Sequence, residues 1–597
     1  MQYSTKEVAE KVQRAVRTVQ IAIKKLNIPT TKVGRNNIID EDGLAVLVNH
    51  FQAVNKKYSN TYTINFDAVQ SETISTCDEE YVEDKANFKL FIEELYNENA
   101  NNTITIWIYN LGRVKIYIEE ALKSLNMEYV TTRNRELEPI KILIKRSNKN
   151  IRILDFKRFT GVDSNKLVEV YDVNANDSLT KQMMYIAKEL KAGHSTSINS
   201  EAYKRLLEES FGSMKNAKRR LPRAVDNRNI NLQKYFQLVE DARNGGLLYK
   251  NNNYVNELVH NVTYVDINSS YPNVMRNDLL PFGPAIQFNG NPEDLNLREN
   301  TWFLVRVLLT DIKLKEGKFP YLGYNRINRI HHDGEIDYIT NYSGRGQVYN
   351  SKPGYAYETI VTRDEIALIQ DCYDLKIQYL DGQWHYAKKG LFKNFVDKYY
   401  EIKKNATGSA REQAKLFINM SYGMLNCSIF EKKVDRKGYI NWKKSVFNVY
   451  KETYAPAGLA ILFGARVNLG KALAMNAENV LYADTDSMIL KAEPKGITIS
   501  KELGQWKVEE SNVDFKCVAF KTYMIGDKAV TAGVPSEYSI NITMDDFHPE
   551  AVINVTRYSS NENGIYTYNF KYTFGGLLPD VEGADLYEWE ITSIKTT

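Results

Sequence analysis

Apolar residues in the second half of the chain form short runs that predict strands, and two of these runs end in carboxylates. Leu481–Ala483 leads into Asp484 and Asp486, and Tyr264–Val265 leads into Asp266. Residues two apart on an extended strand share a face, so Asp484 and Asp486 need a cation to offset their repulsion. Magnesium prefers such oxygen ligands. The pattern predicts a metal-binding hairpin, with a solvated Asp-rich turn as the alternative.

A helical pattern lies between the two acidic segments. Lys415, Asn419 and Tyr422 recur at i, i+4 and i+7, which places them on one face of a helix. Lys403 precedes Lys415 by about three helical turns, so the two lysines converge on one ligand only if the chain bends between them. A solvated lysine face is the alternative.

Taken in order, these segments resemble motifs A, B and C of family B DNA polymerases: Asp266–Pro272, Lys415–Gly423 and Tyr482–Ser487. Lys521-Thr522-Tyr523 resembles the K-x-Y element that the family uses to hold the primer terminus. The runs Gly390–Lys398 and Leu280–Gly283 are most similar to the protein-primed branch found in phages with linear genomes. The resemblance covers about residues 60 to 597.

The resemblance implies roles for individual residues. Asp266 and Asp486 would bind two Mg²⁺ ions, for which Mn²⁺ could substitute, and Asp484 would support the site. Nucleotide binding would fall to Tyr271, Lys403, Lys415, Asn419 and Tyr422. Primer and template would be held by Lys521, Tyr523, Gly245 and Gly246. The glycine pair is similar to the Y-x-G-G linker of the family, with Arg243 in place of the tyrosine.

The region before these motifs resembles the family's proofreading exonuclease with its acids largely replaced. The corresponding positions are Asn65, Asp67, Val114 and Glu189. Asparagine and valine cannot supply the charge that two metal ions require, so loss of proofreading is predicted. The alternative is a cryptic exonuclease that uses acids elsewhere, such as Asp155, Glu72 or Glu79.

The first fifty residues form a separate pattern. A capped short helix, a second helix over Val16–Leu26 and a hairpin over Lys32–Ile39 resemble a winged helix-turn-helix of the excisionase or MerR type. The residues predicted to contact DNA are Arg14, Arg17, Gln20, Lys24 and Arg35. A small helical domain with solvated basic residues is the alternative.

Composition narrows the partners and the compartment. The 597 residues carry 78 basic and 74 acidic side chains, a net charge of +4, so affinity for nucleic acid must come from local basic patches. Four cysteines without C-x-x-C spacing argue against disulfides and zinc sites. No apolar run of membrane-spanning length is recognised. We therefore expect no membrane partner. The resemblance to the phage branch implies the cytoplasm of a bacterial host, with the gene carried by a phage or mobile element.

The resemblance implies an α+β multidomain protein with the right-hand architecture of palm, fingers and thumb, next to an RNase H-like exonuclease-type domain. The predicted segments are a winged helix-turn-helix head at 1–50, a degenerate exonuclease-like domain at 60–200, palm at 201–280, an insertion similar to terminal-protein region 1 at 281–370, fingers at 371–425, a hairpin similar to terminal-protein region 2 at 426–450, palm again at 451–515, and the K-x-Y element with the thumb at 516–597.

The predicted function is template-directed DNA synthesis by a nucleotidyltransferase, protein-primed and without proofreading. The expected partners are a DNA primer-template, deoxynucleoside triphosphates and a terminal protein, and the expected state is a monomer. A non-catalytic DNA-binding replication or regulatory protein on a decayed polymerase fold is the alternative from another class.

Overall fold

The computed structural model describes residues 3–4, 8, 23, 28–33, 36–42, 44–46, 61–66, 72–76, 80–83, 92–93, 96, 104–109, 111–133, 139–145, 150–177, 179–189, 198–226, 229–338, 346–427, 430–434, 440–444, 453–531, 542–549, 551–561, 564–573 and 590–593. The chain divides into two compact units, one of residues 1–168 with 172–197 and one of residues 169–171 with 198–597.

The first unit begins with a small sheet of β1 (Tyr3–Ser4), β2 (Thr31–Val33) and β3 (Asn36–Ile39), in the order β1-β3-β2. Strands β2 and β3 pair antiparallel, which confirms the predicted hairpin. The residues predicted to contact DNA lie outside the described residues: Arg14, Arg17, Gln20, Lys24 and Arg35. The helix-turn-helix therefore stays a prediction.

A seven-stranded sheet follows, with the order β6-β5-β4-β7-β10-β9-β8. Its strands are β4 (Thr61–Phe66), β5 (Glu72–Thr76), β6 (Glu80–Glu83), β7 (Ile104–Ile108), β8 (Tyr129–Arg133), β9 (Pro139–Lys145) and β10 (Asn150–Asp155). Strands β4, β7 and β10 run parallel, and the remaining pairs are antiparallel.

Helices of this region are α1 (Leu111–Ser124), α2 (Phe156–Thr160), α3 (Leu167–Tyr171) and α4 (Leu179–Glu189). Leu111, Ile118 and Leu122 of α1 follow helical spacing and are fully buried against isoleucines of the sheet such as Ile142 and Ile153. Burial of this apolar face fixes α1 on the sheet.

The second unit opens with α5 (Ile198–Phe211), α6 (Met214–Arg220), α7 (Leu232–Asp241), β11 (Leu248–Lys250), β12 (Val259–Ile267) and α8 (Ser270–Asn277). A six-stranded sheet follows, built from β13 (Leu279–Asn289), β14 (Thr301–Leu314), β15 (Arg329–His332), β16 (Glu335–Tyr338), β17 (Ala356–Val361) and β18 (Tyr373–Lys389), with α9 (Arg363–Cys372) before β18. Its order is β13-β18-β14-β17-β15-β16.

Two helices, α10 (Lys393–Asn405) and α11 (Gly408–Leu425), come next, followed by the hairpin of β19 (Phe430–Val434) and β20 (Ile440–Lys444) and by α12 (Ala455–Met475). The remaining strands are β21 (Val480–Asp484), β22 (Ser487–Leu490), β23 (Trp506–Ala519), β24 (Thr522–Ile525), β25 (Lys528–Thr531), β26 (Val552–Asn561), β27 (Gly564–Thr573) and β28 (Glu590–Ser593).

The central sheet of this unit has the order β11-β21-β22-β12-β23-β24-β25. Val265 and Met488 of this sheet share one hydrophobic core with Val305 and Val307 of the six-stranded sheet and with Leu469 of α12. Because both sheets bury apolar faces in the same core, the strands that end in carboxylates are held in place by close packing.

Helix α12 corrects the expectation that the chain has no apolar run of membrane-spanning length. Ala455–Met475 is long enough to cross a membrane, and an 18-residue window within it has a mean hydropathy of 1.3. Inside the protein, 72% of that window is buried. Arg466 near its middle is 2% exposed and pairs with Glu365. Leu469 and Leu473 of this helix belong to the core described above, and other residues of the helix belong to two further hydrophobic clusters.

Candidate active site

Three acidic residues lie at the ends of neighbouring strands of the central sheet. Asp266 is the penultimate residue of β12, Asp484 is the last residue of β21, and both are aligned with Ser487 of β22. The Ile267 amide donates to the Asp486 carbonyl at 2.8 Å. The structure therefore brings together the acids that the sequence predicted.

A tight turn carries the two later acids. Thr485 adopts a left-handed conformation with φ 61°, which reverses the chain between β21 and β22. The Thr485 hydroxyl donates to the Asp484 carboxylate at 2.7 Å, and the Asp486 amide donates to the Asp484 carbonyl at 2.6 Å. The predicted hairpin is confirmed, and its turn is held by local hydrogen bonds.

Two of the three acids have raised pKa values. Burial, followed by the charges of Asp266 and Asp484, raises the pKa of Asp486 to about 7. Burial also raises the pKa of Asp266, and Lys507 opposes the rise. Like charges in a partly buried site favour a bound proton or a bound cation.

Oxygen-only donors fit magnesium, which prefers carboxylates completed by water and phosphate. Within the residues that the structure describes, no group of three or more His, Cys, Asp or Glu side chains is arranged closely enough to hold a metal ion. Donor chemistry and charge are what support a divalent-ion site at these acids.

Two lysines offset the negative charge. Lys521 Nζ lies 3.0 Å from Asp484 Oδ2, and Lys507 Nζ lies 3.4 Å from Asp266 Oδ1. Lys507 also pairs with Glu509. Lys521 was predicted from the K-x-Y pattern, whereas Lys507 was not anticipated.

The K-x-Y element is held by a buried tyrosine. The Lys521 amide donates to the Tyr482 hydroxyl at 2.7 Å, and Lys521 is left-handed with φ 58°. Tyr523 is 7% exposed, and its ring lies 4.8 Å from that of Tyr482. Lys521 therefore reaches Asp484, while the Tyr523 ring packs against that of Tyr482.

Helices α10 and α11 supply further cations. The predicted helix around Lys415 is confirmed. The chain bends between Asn405 and Gly408, which is the condition under which Lys403 and Lys415 can converge on one ligand. Lys403 Nζ donates to the Ser269 hydroxyl at 2.8 Å, and burial, with Lys415 and Arg411 nearby, lowers its pKa. Lys415 is more exposed and pairs with Glu412 at 3.4 Å.

Two tyrosines stack at the edge of the site. The rings of Tyr271 and Tyr422 lie 4.0 Å apart with an interplanar angle of 14°. Asn419, one turn before Tyr422, is exposed. Two of the predicted nucleotide-binding residues are thus in direct contact, and Asn419 faces solvent near them.

The glycine pair follows α7. A Cβ on Gly246 would lie 2.8 Å from the Thr485 hydroxyl oxygen, whereas a Cβ on Gly245 would meet no atom within 4 Å. The Thr485 amide donates to the Leu247 carbonyl at 2.9 Å. Gly246 therefore allows the main chain to approach the acidic turn closely.

The exonuclease-like positions are spread over the first unit. Asn65 lies on β4, Val114 on α1 and Glu189 at the last position of α4, while Asp67 lies outside the described residues. Asp155 ends β10, is 7% exposed and accepts a hydrogen bond from the Arg158 amide at 3.2 Å. Asp155 thus caps α2, and burial raises its pKa.

Comparison with protein families gives a match to "DNA polymerase type B, organellar and viral" over residues 209–452. The DNA polymerase of Bacillus phage Nf is 28% identical over 302 residues, which cover 48% of this chain and 49% of that protein. The DNA polymerase of Bacillus phage phi29 is 27% identical over 320 residues, covering 50% of this chain and 52% of that protein. The aligned part of the chain covers about half the length of these curated relatives.

The fold is that of phi29 DNA polymerase. Its complex with primer-template DNA and incoming nucleotide substrates matches with a TM-score of 0.68 at 18% identity, over 86% of this chain and 99% of that chain. The orthorhombic crystal form matches with a TM-score of 0.69, over 87% and 98%. In sequence and fold the chain is similar to family B DNA polymerases of the phi29 and viral type.

Proposed function

We propose that this protein is a DNA-directed DNA polymerase of the phage type, acting on a DNA primer-template and deoxynucleoside triphosphates. The observation that carries the proposal is the placement of Asp266, Asp484 and Asp486 at neighbouring strand ends. Lys521 pairs with Asp484, and Lys403 donates to Ser269 close to Asp266. Similarity to phage DNA polymerases supports it.

Joining a nucleotide to a primer is a phosphoryl transfer. The primer 3′-oxygen bonds to the α-phosphorus, the bond between the α- and β-phosphates breaks, pyrophosphate leaves, and the hydroxyl proton passes to solvent. Positioning and charge neutralisation supply most of the rate in such reactions. The residues assembled here are of the type that this chemistry needs.

Individual roles follow from placement. Asp266 and Asp486 would hold the divalent ions, which supply charge neutralisation at the reacting phosphates. Lys403 and Lys415 bind the triphosphate as cations, and Lys521 orients Asp484 near the primer terminus. Tyr271 and Tyr422 form a flat surface for the sugar and the new base pair.

The test is extension of a 5′-labelled primer on a DNA template with magnesium. Asp486→Asn should abolish incorporation and leave binding of the primer-template duplex unchanged. Asp371→Asn, which removes an exposed carboxylate paired with Lys318, is the matched control and should extend normally. Unchanged incorporation by Asp486→Asn would refute the assignment of the acids.

Loss of proofreading is a separate part of the proposal. The strand order β6-β5-β4-β7-β10, with three antiparallel strands followed by two parallel ones, supports an RNase H-like exonuclease-type domain. Asn65 and Val114 stand at positions where acids are needed, and Asp155 is engaged in capping a helix. A primer with a mismatched 3′ end should not be shortened when deoxynucleotides are absent.

Shortening would favour a cryptic exonuclease, and Asp155→Asn would then show whether Asp155 belongs to its site. A protein that neither extends nor shortens a matched primer would instead favour the non-catalytic DNA-binding alternative.

Protein priming is the last part of the proposal. Support comes from the β19–β20 hairpin between Tyr422 and the acidic turn and from the six-stranded sheet after Asp266, both at the places where the protein-primed branch has its two insertions. The test is labelling of a candidate terminal protein by the first nucleotide. Label that remains on the protein after boiling in detergent supports priming by a side-chain hydroxyl.

A further inference from the structure

Arg243 stands where the linker pattern resembles Y-x-G-G but carries no tyrosine, and its contacts are specific. Its Nε bonds Glu240 at 3.1 Å, and its Nη1 donates to both the main-chain carbonyl and the side-chain Oδ1 of Asn426, the latter at 2.9 Å. The Arg243 side chain is 12% exposed and that of Glu240 is 4% exposed. A guanidinium presents several donors in a fixed plane, so it can make all of these bonds at once.

Asn426 continues the chain of contacts toward the candidate nucleotide site. Since Arg243 is only a donor, the oxygen of the Asn426 amide faces it, and the amide nitrogen is left to donate. That nitrogen lies 3.4 Å from the Tyr422 hydroxyl, and the Tyr422 ring stacks on Tyr271 at 4.0 Å. Arg243 is therefore linked to Tyr271 through two intervening side chains, those of Asn426 and Tyr422.

The end of α11 is also held without Arg243. The Thr453 hydroxyl donates to the Leu425 carbonyl at 3.2 Å, and Gly458 of α12 lies so close that a Cβ there would be 2.7 Å from the same carbonyl oxygen. Because α12 already anchors the helix end, the distinctive contribution of Arg243 is its bond to the side chain of Asn426.

The same short linker reaches the acidic turn, since Gly246 contacts Thr485 and the Leu247 carbonyl accepts from the Thr485 amide. One segment of five residues, from Arg243 to Leu247, thus touches both the helix that carries Tyr422 and the turn that carries Asp484 and Asp486.

We infer that Arg243 is a positioning residue that orients the Tyr422–Tyr271 pair through Asn426, and that it thereby sets nucleotide affinity and discrimination against ribonucleotides. The inference rests on the proposed polymerase function. The hydrogen bonds of Arg243 go to Glu240 and Asn426. Its effect is therefore exerted on nucleotide binding and sugar selection more than on the rate of bond formation.

The experiment is single-turnover incorporation of one deoxynucleotide and of the matching ribonucleotide, with nucleotide Kd and maximal rate determined separately. Arg243→Ala and Asn426→Ala should each raise the deoxynucleotide Kd by about fivefold, the value of one ordinary hydrogen bond. Both should incorporate ribonucleotides more readily relative to deoxynucleotides, while the maximal rate changes less than the Kd. Arg243→Lys, which keeps the charge but loses the planar fork of donors, should recover part of the loss.

Arg205→Ala is the matched control. Arg205 pairs with Glu201 and lies over the ring of Phe417 in α11 at 4.4 Å, so its loss perturbs the same helix without touching Asn426. It should lower the melting temperature and leave Kd and sugar selection unchanged. Asn426→Ala keeps the bond between Arg243 and the main-chain carbonyl, which provides a second variant if Arg243→Ala folds poorly.

Unchanged Kd and unchanged sugar selection in Asn426→Ala and in whichever Arg243 variant folds would overturn this inference while leaving the polymerase function standing. Equal changes in Arg205→Ala would also overturn it, because the effect would then be general to α11. Absence of incorporation by the unmodified protein would overturn both.

Discussion

Gly246 lies directly against Thr485, the residue between the two aspartates of the acidic turn. A Cβ at position 246 would be 2.8 Å from the Thr485 Oγ1 and 3.2 Å from its Cα. The Cα belongs to a left-handed residue that is hydrogen-bonded to Leu247, so it has little freedom to move away. Any side chain at position 246 must therefore displace the turn that carries Asp484 and Asp486.

Gly246→Ala should reduce primer extension strongly with little change in duplex binding. The added methyl group pushes the turn, and displacement of catalytic groups by about 1 Å can lower a rate by about 100-fold. Overpacking should also lower the melting temperature, since it costs about 1–3 kcal/mol. Single-turnover extension and a thermal melt check the two effects.

Gly245→Ala is the matched comparison, because a Cβ there meets no atom within 4 Å. Its melting temperature should equal that of the unmodified protein. A fall in duplex affinity in Gly245→Ala alone would assign template binding to Gly245 and leave the packing role to Gly246. Normal extension by Gly246→Ala would contradict the close approach described above.

The acids could be predicted from the sequence because their signal is local. A run of strand-forming residues that ends at Asp484, with Asp486 two positions later, encodes both the strand and its turn. Helical geometry likewise shows that Lys403 and Lys415 converge on one ligand only if the chain bends between them. Neither inference required knowledge of which strands are neighbours.

Lys507 could not be found in this way, because its contact with Asp266 depends on strand register across 241 residues. Strand β23 is paired with β12 through several register shifts, and a slip of one residue would turn Lys507 to the other face. The contact of Arg243 with Asn426 could not be predicted either, because the two residues are 183 positions apart in the sequence. The only local signal was the unusual arginine in a glycine-containing linker.

Lys507→Ala should tighten divalent-ion binding in the absence of nucleotide. The Lys507 ammonium neutralises Asp266 and so competes with a metal ion for the same carboxylate. The Lys507 side chain is 43% exposed, so solvent weakens the pair and the expected gain in affinity is about two- to fivefold. Titration calorimetry with Mg²⁺ or Mn²⁺ measures it directly.

Lys376→Ala serves as the control for that titration, because it breaks an exposed ion pair with Asp311 on the six-stranded sheet. It should leave metal affinity unchanged. Weaker metal binding by Lys507→Ala would mean that Lys507 organises the acidic site instead of competing for it.

His385 should make the protein less stable in acid. It is fully buried on β18, with Nδ1 3.0 Å from the Tyr454 hydroxyl, and burial lowers its pKa to about 3. In the unfolded chain the His385 imidazole takes up a proton near pH 6.5, whereas in the folded protein it stays neutral down to about pH 3. The contribution of neutral His385 to stability is therefore complete above pH 6.5 and is lost as the pH falls toward 3. The slope should approach about 1.4 kcal/mol per pH unit.

Melting curves of the unmodified protein and of His385→Gln, recorded from pH 7.5 to pH 5, check this prediction. The unmodified protein should lose more stability over this range than the variant. His260→Gln, at a side chain that is 63% exposed, should follow the unmodified protein. Parallel curves for all three proteins would show that His385 does not titrate on unfolding.

Asp278 should make the protein less stable as the pH rises, which is the opposite of the effect of His385. It directly follows α8, and burial, with Asp364 nearby, raises its pKa to about 6, against the weaker effects of Lys471 and Lys389. A folded-state pKa above the unfolded value of about 3.9 means that the contribution to stability is present below that value and is lost as the pH rises through 6. Asp278→Asn removes this loss and should stabilise the protein by up to about 3 kcal/mol at pH 8, with no gain near pH 4. Melting temperatures at both values measure the difference, and Asp311→Asn, at an exposed ion pair, should show no such pH dependence. A gain of equal size at pH 4 and pH 8 would trace the effect to the new amide and not to the charge of Asp278.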